Sequence, residues 1–391
     1  MFNDIVNRRG SGSYKWDTIV DAGIIERGAY PLSVADMEFR TPVEVREAVK
    51  SFADNGFFCY TSADDLYRDC VREFLFRRHQ FEIENDWIVC VGGVVFAINT
   101  AIRAFTNPGD KVIIQAPVYY PFSTSIINND RVIANNPLIN TGEKYEINFD
   151  ELEKIASQDD VKMMLFCSPH NPVGRVWTRD ELKRVGEICL NNNVILVYDE
   201  IHFDILRKGQ SHTVINNVDE RFSKNTVICT AVSKTFNLAG LGTSNIIIAD
   251  EKLREKFCTQ LSADGYSCIN CVSRPATIAA YTNCDYWIDA MRDYVDNNIA
   301  FVRSVIERIP QIKMYECEGT YLVWLDMRKL GMNDEELDLF LRDKCGIIQD
   351  PGYWFGENGK GFSRLNVACP ISVLEKTMKN LEREILKMVN L

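Results

Sequence analysis

The run Thr226-Val-Ile-Cys-Thr-Ala-Val-Ser-Lys-Thr-Phe-Asn-Leu-Ala-Gly-Leu241 places a short apolar stretch, Thr226–Cys229, just before a solitary lysine, Lys234. Thr230, Ala231, Ser233 and Thr235 surround that lysine with small and hydroxyl side chains, and no other charged residue occurs from Thr226 to Ala249. Desolvation disfavours an ammonium and lowers its pKa, which is what an amine needs to attack a carbonyl. The neighbouring hydroxyls could hold a phosphate. The same pattern also fits a lysine whose stem lies on apolar surface while its head reaches water. The rest of the chain decides between these readings.

The apolar stretch before Lys234 is one of a series. Trp87–Val91, Lys111–Gln115, Lys162–Cys167, Val194–Tyr198, Thr226–Cys229 and Ser244–Ile248 are each brief, rich in Val, Ile or Leu, and bounded by turn residues. Strands buried on both faces read this way. Helical patterns lie between several of them, at Val94–Phe105, Phe149–Ala156 and Arg179–Asn191, the last with Thr178 as its N-cap. This alternation predicts an α/β fold, a mostly parallel central sheet with helices on both faces. After Ile278 the pattern changes to helix (Asp285–Arg308), strand-like run (Thr320–Asp326) and two further helices (Asp334–Lys344, Ile371–Val389), which predicts a smaller α+β domain. The expected division is a loop-rich segment 1–50 packing with the small domain, a large domain 51–283 and a small domain 284–391.

Composition narrows the function. A chain of 391 residues suits about two domains. The formal net charge of −11, without a basic stripe, weighs against a nucleic-acid partner. No run approaches the roughly 18 apolar residues of a membrane span, and the N-terminus lacks the apolar core of a signal peptide. A cytoplasmic protein with no membrane partner is expected. Thirteen cysteines, odd in number and irregularly spaced, are expected as free thiols. Cys268 and Cys271 have CxxC spacing, but without a second pair, and with four histidines in the chain, no metal site is expected.

In open α/β sheets ligands gather at the carboxyl ends of strands, and several distinctive residues fall there. Gly92-Gly93-Val94 leads from a strand into a helix, where backbone N–H groups can meet an anion; it is otherwise a plain turn. It is not GxGxxG, so a dinucleotide is not indicated. Cys167-Ser-Pro-His-Asn-Pro-Val-Gly174 holds Asn171 rigidly between prolines, as a hydrogen-bond donor or as a turn cap. Asp199 closes the apolar run Val194–Tyr198, where a carboxylate needs a cationic or protonated partner or serves as a helix cap. His202 and His170 read more simply as structural imidazoles. Arg364, in Phe362-Ser-Arg-Leu-Asn-Val-Ala-Cys-Pro370, suits a bidentate carboxylate or a structural ion pair. Together these residues meet the needs of pyridoxal phosphate: an amine, a carboxylate for the ring nitrogen, a donor for the ring oxygen and a phosphate cradle.

Seven segments carry a family resemblance that spans nearly the whole chain: Ser33-Val-Ala-Asp-Met-Glu-Phe39, Cys59-Tyr-Thr61, Ala116-Pro-Val-Tyr-Tyr-Pro-Phe122, Ser168-Pro-His-Asn-Pro-Val-Gly174, Asp199-Glu-Ile-His202, Ser233-Lys-Thr-Phe-Asn-Leu-Ala-Gly240 and Arg364-Leu-Asn-Val-Ala-Cys-Pro370. The chain resembles the fold-type I pyridoxal-phosphate enzymes, in their class I/II aminotransferase-like branch, and within it the MalY/PatB group of cystathionine β-lyases. That resemblance implies a carbon–sulfur β-lyase acting on L-cystathionine or a related thioether, with a class I/II aminotransferase as the alternative. It implies that Lys234 joins the cofactor and moves the Cα proton, that Asp199 pairs with the ring nitrogen, Asn171 with the ring oxygen, and that Tyr119 stacks on the ring. Gly93, Val94 and Ser233 would hold the phosphate, and Tyr60 would reach it from the partner subunit of a homodimer. His202 joins the cofactor residues, and Arg364 and Asp36 are the implied substrate-binding residues. The sequence departs from the group at Gly242, where Lys or Gln is more usual, and at Tyr120 and Phe96, where proline is common.

Overall fold

The structure is a computed structural model that describes residues 1–18, 23, 25 and 28–389. Its larger sheet has seven strands: β1 (Ile88–Val91), β2 (Lys111–Ile114), β3 (Val132–Asn135), β4 (Val161–Cys167), β5 (Ile195–Asp199), β6 (Thr226–Thr230) and β7 (Ser244–Ile247). Their order is β1-β7-β6-β5-β4-β2-β3. Neighbours pair in parallel from β6 through to β3, and β7 runs antiparallel to both β1 and β6. The six strands expected from the apolar runs are present, each within a residue or two of its predicted limits. The edge strand β3 was not anticipated, because its side chains are exposed or half-buried.

The sheet is buried on both faces, as the near-continuous apolar runs require. On one face Val91, Val112, Leu165, Val197, Val227 and Ile246 pack with the helices α1 (Val94–Phe105) and Glu251–Ala263. On the other, Phe166, Leu196, Tyr198 and Ile228 meet Leu182 and Val185 of α2 (Arg179–Asn191). Thr178 caps α2 through a capping box with Glu181, satisfying two end groups at once. The four-residue helix α3 (Val232–Thr235) follows β6 directly.

A second, antiparallel sheet of four strands lies in the C-terminal part: β8 (Lys313–Met314), β9 (Leu322–Asp326), β10 (Asp350–Pro351) and β11 (Phe362–Asn366), in the order β8-β9-β11-β10. It is flanked by α4 (Asp285–Ile306) and α5 (Ile371–Val389). The helix predicted over Asp334–Lys344 splits into an α-helix, Asp334–Leu339, and a wider turn, Phe340–Lys344. The N-terminal segment is less irregular than its sequence suggested, since Val43–Asp54 is a helix capped by Pro42 without a side-chain acceptor. Ahead of it, Tyr30–Pro31 pairs in parallel with Ile347–Ile348. Among the described residues no helix is long and apolar enough to cross a membrane.

Asn298 fastens α4 to the chain after β11. Its buried amide donates to the carbonyls of Val367 and Cys369, 2.8 Å each. Asn298→Leu keeps the bulk but strands both acceptors, and an unsatisfied buried group costs about 1–3 kcal/mol. The variant is expected to unfold at a lower temperature by scanning calorimetry, with near-native far-UV circular dichroism at 20 °C.

Candidate active site

The carboxyl ends of β1, β2, β4, β5 and β6 point to one side of the sheet, and the reversed strand β7 begins there. An enclosed cavity of about 250 Å³ opens at that edge. Lys234, Asp199, Asn171, Tyr119, Gly93, Val94, Ser233 and His202 all line it. A wider groove of about 730 Å³ lies over Arg68, Cys90, Arg254 and Tyr266 and contains none of the expected residues. The enclosed cavity, where reactive groups converge, is the candidate site.

Lys234 stands in α3, with its Nζ donating to the carbonyl of Ala35 at 2.6 Å. Tyr321 donates its hydroxyl to the same carbonyl at 2.9 Å. Desolvation pulls the Lys234 amine down to about 8, with Asp36 and Asp199 acting in the opposite sense and Arg364 and Lys15 reinforcing it. The lysine of the opening motif is therefore a half-buried, desolvated amine facing the cavity, not a solvated surface cation.

Asp199 ends β5, buried, with Oδ1 accepting from the Ile201 amide at 3.1 Å. Burial raises its carboxyl to about 7 against the opposing pull of that hydrogen bond and of Lys234. Among the described residues no ion pair reaches it. A buried carboxylate that borders a cavity and has no ion-pair partner is what a protonated ring nitrogen would complete. His202 lies in the same wall, its ring edge-on to Tyr321 at 6.0 Å and its pKa held low by burial. Its buried Nδ1 has no hydrogen-bond partner.

The phosphate cradle expected at Gly92–Val94 has a specific backbone. Gly93 caps α1 at φ +145°, and a Cβ placed there would meet nothing within 4 Å, so open space faces the helix N-terminus. Only glycine adopts that conformation readily. Ser233, Gly242 and Thr243 border the same cavity. Gly242 also has a structural reason for departing from Lys or Gln. It sits in the left-handed region at φ +55°, which strains a residue with a Cβ, although a Cβ there would meet the Gly92 carbonyl at an ordinary contact distance of 3.4 Å.

Arg364, on β11, is buried beside the cavity rather than in its lining. Its Nε and one terminal nitrogen donate to Asp350 across the strand pair, and the other donates to Asn171 Oδ1 at 2.9 Å. Its guanidinium lies 4.8 Å from the Phe355 ring centre. Of five N–H groups, two remain for a further acceptor. Asp36 also stands outside the lining, paired with Arg8 at 2.9 Å and within 3.5 Å of the buried Lys15. Tyr60 is 96% exposed and lies away from this chain's cavity.

Sequence reasoning missed the residues that fasten these groups. Thr235, next to Lys234, donates to Asp204 at 2.7 Å, and Asp204 pairs with His79 at 2.9 Å. Asn237 holds Met37 and Phe39 through three hydrogen bonds, and Asn366 holds the carbonyls of Val34 and Asp36. Asn237 and Asn366 fall inside two of the quoted motifs, which was the available signal.

Comparison with known proteins agrees with this fold. The chain matches the model for aminotransferase class I and II over residues 28–381. It is 37% identical to cystathionine β-lyase PatB of Bacillus subtilis strain 168, covering 97% of this chain and 98% of that one. It is 30% identical to protein MalY of Escherichia coli K12, covering 97% of each. Cystalysin from Treponema denticola, whose crystal structure contains a pyridoxal 5′-phosphate cofactor, superposes with a TM-score of 0.95 at 40% identity, covering 100% of this chain and 99% of that one.

With the site free of cofactor, Lys234 should react with acetic anhydride with a midpoint near pH 8, because raising the pH through that value neutralises the amine. Competitive labelling read by mass spectrometry checks this. A midpoint near 10.5, the ordinary lysine value, would show a solvated side chain.

Proposed function

The chain belongs to the aminotransferase class I and II family, and from that premise we infer that it is a pyridoxal 5′-phosphate-dependent carbon–sulfur β-lyase. It converts a cysteine thioether and water into a thiol, pyruvate and ammonia, with L-cystathionine as the type substrate. The observation that carries this reading is the convergence of a desolvated amine, Lys234, and a buried unpaired carboxylate, Asp199, on one cavity beside Arg364. The bound cofactor supplies an electrophilic carbon and a ring that accepts electron density from the substrate's Cα.

The chain's own residues do the rest. Lys234, neutral in part at pH 7–8, would attach the cofactor and, as a free amine, would take the proton from the substrate's Cα. Asp199 would keep the ring nitrogen protonated, since a carboxylate held against a cation stays ionised despite its burial. Asn171 would bond the ring oxygen, and Tyr119 would pack against the ring, since both line the cavity. The N–H groups of Gly93 and Val94, with the Ser233 hydroxyl, would hold the phosphate at the positive end of α1. Arg364 takes the substrate carboxylate with its two spare N–H groups. It is already aimed by Asp350 and Asn171, so little orientation entropy remains to be lost on binding. Loss of the Cα proton and breakage of the Cβ–S bond release the thiol. The remaining three-carbon unit hydrolyses to pyruvate and ammonia.

The assembly proposed is a homodimer in which Tyr60 of a second copy reaches the phosphate. Its near-complete exposure here fits a residue that works in the neighbouring site.

Two measurements test this function. Incubation with L-cystathionine should give pyruvate and free thiol in equal amounts without added oxo acid. Amino exchange with an oxo acid, in place of thiol release, would favour the aminotransferase alternative. Arg364→Ala should raise KM for amino-acid substrates by roughly 10- to 150-fold, since a charge-assisted pair contributes about 1.5–3 kcal/mol. Cofactor content should stay near wild type, and loss of cofactor as the main effect would contradict the clamp.

A further inference from the structure

Next to the carboxylate clamp is a group of aromatic rings that proton transfer and cofactor binding do not require. Tyr119 lines the cavity, and Tyr120 follows it outward, with ring centres 5.5 Å apart. Tyr120 meets Trp354 edge to face at 5.9 Å, and Trp354 in turn meets Tyr353 at 6.4 Å. All three outer rings are open to solvent: Tyr120 is 37% exposed, Tyr353 40% and Trp354 43%. The loops bearing them are tied together, because the Val118 amide donates to the Phe355 carbonyl at 3.0 Å. Phe355 is also the ring beneath the Arg364 guanidinium. Tyr120 lies close enough to Asp350 and Arg364 to feel both charges.

A contiguous set of exposed rings beside a polar site marks a surface built to be covered. Three of the four groups on the substrate's Cα already have partners under the lyase reading, on which this inference rests. The carboxylate goes to Arg364, the amine to the cofactor and the hydrogen to Lys234. The fourth is the Cβ–S chain, the one part of the substrate free to extend toward the rim. Flat rings recognise flat or apolar groups through offset and edge-to-face contacts.

We infer that the Tyr120–Trp354 rim selects the leaving thiol, and that the favoured substrates are thioethers of L-cysteine whose sulfur carries a neutral aromatic group. Acidic side chains adjoin the rim at Tyr353, which shares a groove with Asp334, Glu335, Asp338 and Glu357; Asp338 accepts from the Tyr353 hydroxyl at 3.4 Å and from Gln349 at 2.7 Å. These carboxylates offer the competing selection, for an ammonium such as the one on the zwitterionic distal end of cystathionine.

The test uses the holoenzyme with S-methyl-L-cysteine, L-cystathionine and S-benzyl-L-cysteine, following pyruvate. S-benzyl-L-cysteine should have a kcat/KM at least 10-fold above both others. The ratio of S-benzyl to S-methyl substrate should fall at least fivefold in Trp354→Ala and in Tyr120→Leu, and should survive in Trp354→Phe. Binding is read separately by calorimetry with 5-phenylpentanoate, which matches the length of S-benzylcysteine without its amine, against pentanoate. The ring should tighten binding at least 10-fold in wild type, and most of that gain should vanish in Trp354→Ala. Equal rates for S-benzyl and S-methyl substrates, a ratio unchanged in both variants, or cystathionine as the fastest substrate would overturn the rim. Trp354-dependent binding of 5-phenylpentanoate with no pyruvate from any thioether would uphold the rim and refute the lyase reading instead.

Discussion

Two asparagines hold one extended segment, and the site depends on where that segment lies. Asn237 stands three residues beyond Lys234 and Asn366 two beyond Arg364; both grip the backbone of residues 34–39. The segment thus spans from the lysine's helix to the smaller sheet. It brings the Ala35 carbonyl to Lys234 and the Val34 amide to Asp350, the partner of Arg364. Val34 is bent into the left-handed region at φ +51° to do this. A β-branched residue there costs on the order of 1–3 kcal/mol. Hydrogen bonds on both sides of its own backbone, to Asp350 and from Asn366, keep it there.

That geometry sets the electrostatics. Lys234 and Asp199 are both driven toward their neutral forms by burial, the amine down to about 8 and the carboxyl up to about 7. Each is costly to ionise alone. The two shifts have opposite uses. A neutral amine is the reactive form of Lys234, whereas Asp199 acts as an anion, and a cation brought against it restores that state. A ligand with a reactive carbon at one end of its ring and a basic nitrogen at the other suits both. Arg8 and Lys15 hold Asp36 and Glu38 just outside, so of the two carboxylates that act on Lys234, Asp36 is already paired and Asp199 is not.

Much of this was legible in the sequence, for physical reasons that differ by element. The central strands could be read because burial on both faces leaves a continuous apolar run, as in Ile195–Asp199. The exposed edge strand Val132–Asn135 leaves no such trace. Lys234 and Asp199 stood out because charge in apolar surroundings needs a reason. The fasteners did not stand out. Asn237, Asn366, Tyr321 and Asp204 act through bonds that close only when distant parts of the chain meet, and Ala35 contributes only a backbone oxygen. Arg364 was singled out by type, yet its dependence on Asp350 follows from strand register, which the sequence does not display. Tyr60 was reached by resemblance alone, since nothing in this chain's own cavity calls for it.

The central claim is that the poorly hydrated amine at position 234 is the point of covalent attachment. The most direct measurement is borohydride reduction of the yellow holoprotein, followed by peptide mapping. The account predicts a single phosphopyridoxyl mass on the peptide containing Lys234. The same mass on another lysine, or on none, would contradict it.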